Sequence, residues 1–373
     1  GARASFETAV QLKPDHPPFL LNLANNRIYE GDTQGAEVLF DKIITIQPNS
    51  PQAHWALAGS RKAVDERHIN VMSGFANEVD LHPRARSFYF YAMGKEFEDL
   101  EQWGRAFNAF EQGARTRRTT IEYDEKAEQQ MFDFLRDKFT SDWLARCSAG
   151  YEEAGPIFVL GQPRTGTTMI ERIITSHSAV DSAGELQQLG LAVRRLSDHR
   201  DPKRFSTAFF ETSLQIAPAT LGKMYLNTTA KLRGSAAFFV DKLPQNYLMI
   251  PLILAALPKA KIVHLTRNPM DACFSSFKQL FADAYLHSYD QEEMARHHVR
   301  YLTLMSVWRD RFGDRFIDIA YEDTVADIEP NARRLIDFLG LEWEQACLSF
   351  HQHSGAVSTA SAVQVREPAH TRS

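Results

Sequence analysis

The residues best suited to chemistry surround two glycines, Gly161 and Gly166, which four residues separate. The apolar run at 157–160 predicts a buried strand before them, and residues 169–174 predict the start of a helix after them. Glycine lets the chain turn sharply and lets the backbone approach an anion closely. A strand, a glycine-bounded turn and a helix N-terminus in this order predict a phosphate-binding loop.

The residue that follows Gly166 changes what such a loop can do. In loops of the pattern GxxxxGK[ST], a lysine stands there and contacts the terminal phosphates of a nucleotide. This chain has Thr167 instead, and the nearest cation is Arg164. We therefore expect a loop whose backbone still binds an anion but which lacks the lysine that contacts a terminal phosphoryl group. The alternative is a glycine turn that binds nothing.

A second candidate site follows the predicted strand at 261–266. Arg267 ends this strand, Pro269 is placed to open a helix, and Ser275 comes eight residues after the arginine. Arginine offers phosphate a bidentate fork, and a hydroxyl adds a further donor. An ATP-using enzyme would want an acidic magnesium ligand at the end of such a strand, and none stands there. The alternative is a helix-capping arginine with an incidental serine.

Two further charged residues, Lys242 and Glu185, stand where a functional side chain could lie. Lys242 follows the predicted strand at 237–240, so its side chain is expected in the crevice at the carboxyl edge of a parallel sheet. Glu185 comes after the turn Ser182-Ala-Gly184. The alternatives are a surface lysine paired with Asp241 and a solvated glutamate at a helix start.

From residue 157 onward strand and helix signals alternate, which predicts a parallel sheet with helices on both faces. The predicted strands lie at 157–160, 237–240, 261–266 and 316–320. The predicted helices lie at 168–176, 247–257, 269–281, 292–312 and 329–339.

The first third of the chain repeats. Phe6 and Pro14 recur 34 residues later as Phe40 and Pro48, and Phe75 begins a third copy with a slip of one residue. A 34-residue period with a proline after each helix pair is the tetratricopeptide signature. Such arrays offer a concave surface for binding or assembly. The alternative is an array of helical hairpins of another type.

These patterns divide the chain into a repeat array at 1–120, a helical connector at 121–150 and an α/β domain at 151–373. A hydrophobic content of 44% with 25 phenylalanines supplies ample core. A formal net charge of −5 argues against general nucleic-acid binding. The three cysteines form no CxxC pair, which predicts neither a disulfide framework nor a zinc site and fits a reducing compartment.

The longest apolar stretch, at 247–257, is interrupted by Pro251 and is too short to span a bilayer. No signal peptide is visible, although the chain starts with Gly1. We therefore expect a cytoplasmic protein with no membrane segment in this chain.

Residues 155–368 resemble sulfotransferases, since the motifs occur in the order typical of that family. The loop 163–168 resembles the one that binds the 5′-phosphosulfate of 3′-phosphoadenosine 5′-phosphosulfate (PAPS). The whole chain is similar to bacterial-type proteins that join tetratricopeptide repeats to a domain related to tyrosylprotein sulfotransferases. The resemblance implies an α/β P-loop-like fold and transfer of a sulfuryl group from PAPS to an acceptor hydroxyl.

The resemblance also implies which residues bind the donor. Arg267 and Ser275 match the pair that holds the 3′-phosphate, and Lys242 matches a lysine that contacts the oxygen bridging sulfuryl and nucleotide. Five loop residues match those around the 5′-phosphosulfate, namely Arg164, Thr165, Gly166, Thr167 and Thr168. No metal ion is expected, because a sulfuryl group carries less charge than a phosphoryl group.

The resemblance further implies a base. Glu185 matches the glutamate of a Cys-Gly-Glu motif that serves as general base in the tyrosylprotein class. Cytosolic sulfotransferases use a histidine where this chain has Asp241 and Lys242. His177 is the second candidate base, and His264, in the middle of a predicted strand, is expected in the core.

The last matching segments lie toward the end of the chain. Tyr321 is expected against the nucleotide. In the tail, Ser361 or Ser358 is expected on the sulfate and Arg366 on the 3′-phosphate. Three features depart from the tyrosylprotein class, namely Thr165 in place of serine, Ala183 in place of cysteine, and no membrane anchor.

The resemblance leaves the acceptor open between a peptide tyrosine, which is the first expectation, a carbohydrate and a phenol. The segment 187–231 is expected to shape the acceptor pocket, while the repeats would hold a peptide or form a homodimer. Two other functions remain. One is a P-loop small-molecule kinase, and the other is a non-catalytic repeat scaffold with a nucleotide-sensing domain.

Overall fold

The computed structural model describes residues 2–352 and divides into two compact units. The helical unit contains residues 2–123 and Cys273–Ala295. The α/β unit contains Asp124–Ala272 and residues 296–352. Each unit has its own apolar core. The predicted sites at Ser358, Ser361 and Arg366 lie outside the described residues.

Seven helices form the first part of the helical unit. Pro17, Pro51 and Pro83 stand at the first positions of the second, fourth and sixth helices, where a missing backbone N–H costs nothing. The repeated phenylalanines Phe6 and Phe40 lie on the first and third helices. The helices are α1 (Ala2–Leu12), α2 (Pro17–Glu30), α3 (Thr33–Ile46), α4 (Pro51–Ser60), α5 (Arg67–Ala76), α6 (Pro83–Asp99) and α7 (Trp103–Arg118).

The α/β unit is built on a five-stranded sheet in the order β2-β3-β1-β4-β5, and every pair is parallel. The strands are β1 (Pro156–Gly161), β2 (Val180–Ser182), β3 (Phe238–Lys242), β4 (Lys261–Thr266) and β5 (Phe316–Ala320). Phe158 belongs to one apolar cluster and Val159 to another, because alternate side chains of a strand point to opposite faces. The predicted parallel sheet with helices on both faces is confirmed.

The helices of this unit agree with the prediction at most positions. They are α8 (Glu125–Lys138), α9 (Ser141–Arg146), α10 (Thr167–Thr175), α11 (Gln188–Ser197), α12 (Thr207–Ser213), α13 (Pro218–Thr229), α14 (Ile250–Ala256), α15 (Pro269–Phe277), α16 (Gln291–Phe312), α17 (Tyr321–Ala326) and α18 (Ile328–Leu339). The ends of α15 and α16 extend into residues of the helical unit.

Two predicted helices differ from the observed ones. The helix predicted at 247–257 is a 3-10 helix, Pro244–Met249, followed by α14, because Pro251 occupies a helix-start position. The helix predicted at 269–281 ends at Phe277. The sequence analysis also missed β2 and the three helices within 187–231.

Across residues 2–352, no helix combines the length and the apolarity needed to cross a bilayer. The three cysteines, Cys147, Cys273 and Cys347, are unpaired.

Candidate functional site at the carboxyl edge of the sheet

The sheet brings the predicted site residues to one edge. All five strands run in the same direction, so their carboxyl ends meet there. Val159 of β1 lies opposite Lys242 of β3, and Gly161 lies opposite Leu265 of β4. Neighbouring strands are about 4.8 Å apart. The glycine-bounded loop therefore lies between the end of β3, which carries Lys242, and the end of β4, which leads to Arg267.

Both loop glycines are required by geometry. Gly161 has φ +146°, and a Cβ atom there would lie 2.7 Å from the carbonyl oxygen of Leu265. Gly166 has φ +90°, and a Cβ atom there would lie 2.5 Å from Cδ2 of Tyr321. Arg164 also has a positive φ, +65°. The loop thus follows a path that only glycine takes easily at its two ends, and it delivers the chain to the first turn of α10.

The three loop threonines, Thr165, Thr167 and Thr168, are buried. The hydroxyl of Thr165 donates a hydrogen bond to the carbonyl oxygen of Gln162 at 2.8 Å. It therefore braces the loop internally. Thr167 occupies the first position of α10, where the lysine of an ATP-binding loop would stand.

Two arginines lie close together at the loop: Arg164 belongs to it, and Arg267 contacts it from the end of β4. Arg267 donates from Nη1 to the carbonyl oxygen of Arg164 at 2.8 Å, and its guanidinium lies 4.6 Å from the centroid of the Tyr321 ring. Its Nε is buried and has no hydrogen-bond partner. Burial and the charge of Arg267 lower the pKa of Arg164 to about 10. An anion bound here would reduce the repulsion between the arginines and give Nε an acceptor.

Lys242 and Glu185 form the other half of the site. Nζ of Lys242 lies 2.5 Å from Oε1 of Glu185. The lysine side chain is 1% exposed and the glutamate side chain 39%. The backbone of Gly184 accepts a hydrogen bond from the amide of Lys242 at 2.9 Å, which ties the turn to the end of β3. A buried cation thus lies beneath an accessible carboxylate.

Two buried carboxyl groups lie close to this pair, and the sequence analysis assigned neither a role. Glu171, on α10, accepts a hydrogen bond from the Ser182 hydroxyl at 2.6 Å, and burial raises the pKa of this glutamate. Asp241 accepts a hydrogen bond from the Tyr225 hydroxyl at 2.9 Å, and burial raises its pKa to about 7. The signal for Glu171 was a charge inside the apolar helix run at 169–174.

The remaining predicted residues are placed as follows. Ser275 lies half-buried in the second turn of α15, and Tyr321 begins α17. His264 is buried in β4 as expected, between Asp318 and Tyr301.

His177 is not a base for this site. It precedes β2, so it lies at the amino edge of the sheet, opposite Glu185. Its Nε2 is 2.8 Å from the carbonyl oxygen of Glu342. The expectation that His177 could replace Glu185 is wrong. The two residues are close in sequence, but β2 lies between them and separates them to opposite edges of the sheet.

A comparison with family models matches residues 156–345, just over half of the 373 residues, to the description "Sulfotransferase family". A protein of Aquifex aeolicus (strain VF5), described as uncharacterized, is 28% identical over 363 residues, which are 95% of this chain and 47% of that protein. A protein-tyrosine sulfotransferase of Drosophila melanogaster is 24% identical over 216 residues, which are 57% of this chain and 43% of that protein. The chain thus spans about half the length of these two curated relatives.

Solved structures of sulfotransferases also match. A sulfotransferase domain from the curacin biosynthetic pathway is 17% identical, with a TM-score of 0.39, and the match covers 58% of this chain and 88% of that one. A sulfotransferase from Alicyclobacillus acidocaldarius is 16% identical, with a TM-score of 0.32, over 52% of this chain and 88% of that one.

Proposed function

Because the chain belongs to the sulfotransferase family, we propose that it moves a sulfuryl group from PAPS to an acceptor hydroxyl. One observation supports PAPS as the donor. Arg267 has a buried Nε without a hydrogen-bond partner, beside a second arginine and a glycine-bounded loop. This arrangement suits a ligand with several anionic oxygens.

The described residues fit PAPS. The loop between Gly161 and Gly166 leads into the first turn of α10, and its glycines let the backbone approach a phosphosulfate closely. Arg164, Thr165, Gly166, Thr167 and Thr168 would hold the 5′-phosphosulfate. Arg267 and Ser275 would hold the 3′-phosphate, and the ring of Tyr321 would pack beside it. By the resemblance, Ser361 or Ser358 would contact the sulfate, and Arg366 would contact the 3′-phosphate.

The reaction we propose is an in-line transfer to which PAPS contributes the sulfuryl group. Glu185 accepts the proton of the acceptor hydroxyl as the new oxygen–sulfur bond forms. Lys242 and Arg164 stabilise the negative charge that grows on the phosphate oxygen as the bridging sulfur–oxygen bond breaks. The 2.5 Å contact between Lys242 and Glu185 holds both groups at the place where acceptor and leaving group meet. Positioning and charge stabilisation thus supply most of the catalysis.

The charge of Asp241 bears on the kinase alternative. Asp241 is the carboxyl group of β3 closest to the end of the strand, opposite Phe158 of β1, and a kinase would need a magnesium ligand at a strand end of this kind. It is fully buried, accepts a hydrogen bond from Tyr225, and has a pKa raised to about 7 by burial. A carboxyl group held in this way is a poor ligand for a hydrated cation. Together with Thr167, it favours sulfuryl transfer over a P-loop kinase.

We propose that residues 1–120 form a tetratricopeptide array, residues 121–150 a helical connector and residues 151–373 the catalytic domain. The array would hold a peptide acceptor or a second copy of the chain. A peptide tyrosine is the first expected acceptor, because Glu185 matches the base of the tyrosylprotein class, and a carbohydrate or a phenol follows. The three unpaired cysteines favour a cytoplasmic setting.

Calorimetric titration with 3′-phosphoadenosine 5′-phosphate (PAP), the desulfated product, tests the donor. We expect metal-independent binding that ATP does not displace. In Arg267→Ala the affinity should fall about 30-fold or more, because charge-assisted hydrogen bonds are lost. Arg115→Ala, which removes an arginine 75% exposed, should leave the affinity unchanged. No PAP binding, or a preference for ATP with magnesium, would contradict the proposal.

A further inference from the structure

A pocket opens beside the proposed catalytic pair. It lies between α11 and the 3-10 helix that follows β3. Leu186 and Leu243, the residues directly after Glu185 and Lys242, both line it. The pocket therefore lies within one residue of the proposed base and of the buried lysine along the chain.

The lining combines apolar and polar side chains. Phe205 and Met249 join the two leucines, so a ring or a short apolar body would have apolar surface to pack against. Asn246 also lines the pocket and is only 2% exposed. Its Nδ2 is buried and has no hydrogen-bond partner. A buried amide donor in this state calls for an acceptor atom on a ligand.

The charge of the pocket is one-sided. Arg194 and Arg204 line it, and among the described lining residues there is no carboxylate. Arg194 donates from Nη2 to the carbonyl oxygen of Arg204 at 3.0 Å. This hydrogen bond ties α11 to the segment that leads to α12. An ammonium group inside the pocket would lie near two guanidinium groups, so ligands that carry one are disfavoured.

We propose that this pocket is the acceptor subsite and that it takes a phenol bearing a second, hydrogen-bond-accepting oxygen. The phenolic hydroxyl lies at Glu185, the ring lies among Leu186, Leu243 and Met249, and the second oxygen accepts a hydrogen bond from Nδ2 of Asn246. A free phenol and the side chain of a tyrosine within a peptide share this chemistry. The assignment rests on the proposed function, because it takes Glu185 as the base.

Calorimetry on protein saturated with PAP, and on the free protein, tests the subsite with matched phenols. 4-Hydroxyacetophenone has the second oxygen, 4-ethylphenol lacks it, and tyramine carries an ammonium group. We expect 4-hydroxyacetophenone to bind about tenfold more tightly than 4-ethylphenol. Asn246→Leu should abolish that difference and leave PAP affinity unchanged, and tyramine should bind most weakly. N-acetyltyrosinamide tests the peptide source, since comparable binding would favour a tyrosine within a chain.

Gly190 provides a second, independent variant. It lines the pocket from α11, and a Cβ atom there would meet nothing within 4 Å. Gly190→Phe should therefore fill the pocket without straining the fold and block every phenol, while PAP still binds. Gly190→Ala, the matched control, should keep phenol binding.

The two proposals fail in different ways. Phenol binding that is unchanged in both Gly190→Phe and Asn246→Leu would overturn the subsite. If PAP does not bind the wild type but the phenols discriminate as expected, the donor assignment fails and the pocket stands.

Discussion

Two clusters of buried and half-buried polar side chains, one in each unit, differ in how their charges are matched. In the helical unit, Nδ1 of His54 lies 2.7 Å from Nε2 of His68, and Nδ1 of His68 lies 2.6 Å from Oε1 of Glu96. Nε2 of His54 lies 2.7 Å from the carbonyl oxygen of Pro48. Both imidazoles use both nitrogens, and one atom, Oε2 of Glu96, is left without a partner.

At the loop that joins β1 to α10, two like charges meet instead. Arg267, which follows β4, contacts the loop at Arg164, and its Nε has no hydrogen-bond partner. A cluster of opposite or complementary groups stabilises the fold by itself, whereas a cluster of like charges gains stability when a ligand of opposite charge binds. The difference teaches that two cations held side by side indicate a place for an anion, which burial alone does not indicate.

The largest expected effect tests the chemistry of the sheet edge. Glu185→Gln removes the base and keeps the shape of the side chain, so kcat should fall about 10²- to 10⁴-fold while PAP affinity is kept. Steady-state rates and PAP titration measure the two quantities. Glu211→Gln, an exposed glutamate of the same unit, is the control and should have no effect. An unchanged kcat in Glu185→Gln would remove this residue from the reaction.

The next effect belongs to the helical unit. His68→Ala leaves Glu96 and His54 buried without their shared partner, so the free energy of unfolding should fall by about 2–4 kcal/mol. Urea unfolding followed by circular dichroism measures it, with Val64→Ala, at a side chain 83% exposed, as the control. PAP affinity should not change. A lower PAP affinity with an unchanged free energy of unfolding would contradict the structural role of this cluster.

A smaller effect depends on pH. Burial raises the pKa of Asp241 to about 7 in the folded protein, against about 3.9 when unfolded. Between these values the folded state binds a proton that the unfolded state releases, so this group's contribution to stability falls as pH rises through the window. Asp241→Asn keeps an acceptor for Tyr225 and removes the titration.

Relative to wild type, the Asp241→Asn variant should therefore gain about 1–3 kcal/mol in free energy of unfolding between pH 4 and about pH 7.5. Urea midpoints at these two pH values measure the change. Parallel pH profiles for wild type and Asp241→Asn would show that the carboxyl group is ionised in the fold.

The last effects compare two glycines. Gly74, on α5, has nothing within 4 Å of an added Cβ, so Gly74→Ala should stabilise the chain by about 0.5–1 kcal/mol. Gly166→Ala should instead destabilise it by about 1–3 kcal/mol, because φ is +90° and Tyr321 stands in the way. Thermal unfolding measures both. Equal shifts would mean that the loop is not held by its contacts.

Much of the α/β unit could be predicted because its strands are continuous apolar runs. The ranges 261–266 and 316–320 match β4 and β5 to the residue. β2 was missed because three residues show no periodicity. The three short helices within 187–231 were not predicted, and the segment was instead expected to shape the acceptor pocket.

The site could be predicted only where a residue type and a spacing carry the chemistry. The loop glycines and the position of Lys242 at a strand end follow from the sequence. The burial of Lys242 beneath Glu185, the hydrogen bond from Ser182 to Glu171 and the free donor of Asn246 do not. Each depends on which elements pack over it, and a local pattern does not contain that information.

The most direct test of the account is transfer of a ³⁵S-labelled sulfuryl group from PAPS to 4-hydroxyacetophenone in the presence of EDTA. We predict labelled product from the wild type and from His68→Ala at a temperature where that variant is folded. Arg267→Ala and Glu185→Gln should give little or none. Absence of product from the wild type, with ATP and magnesium supporting phosphorylation of the same phenol, would contradict the account.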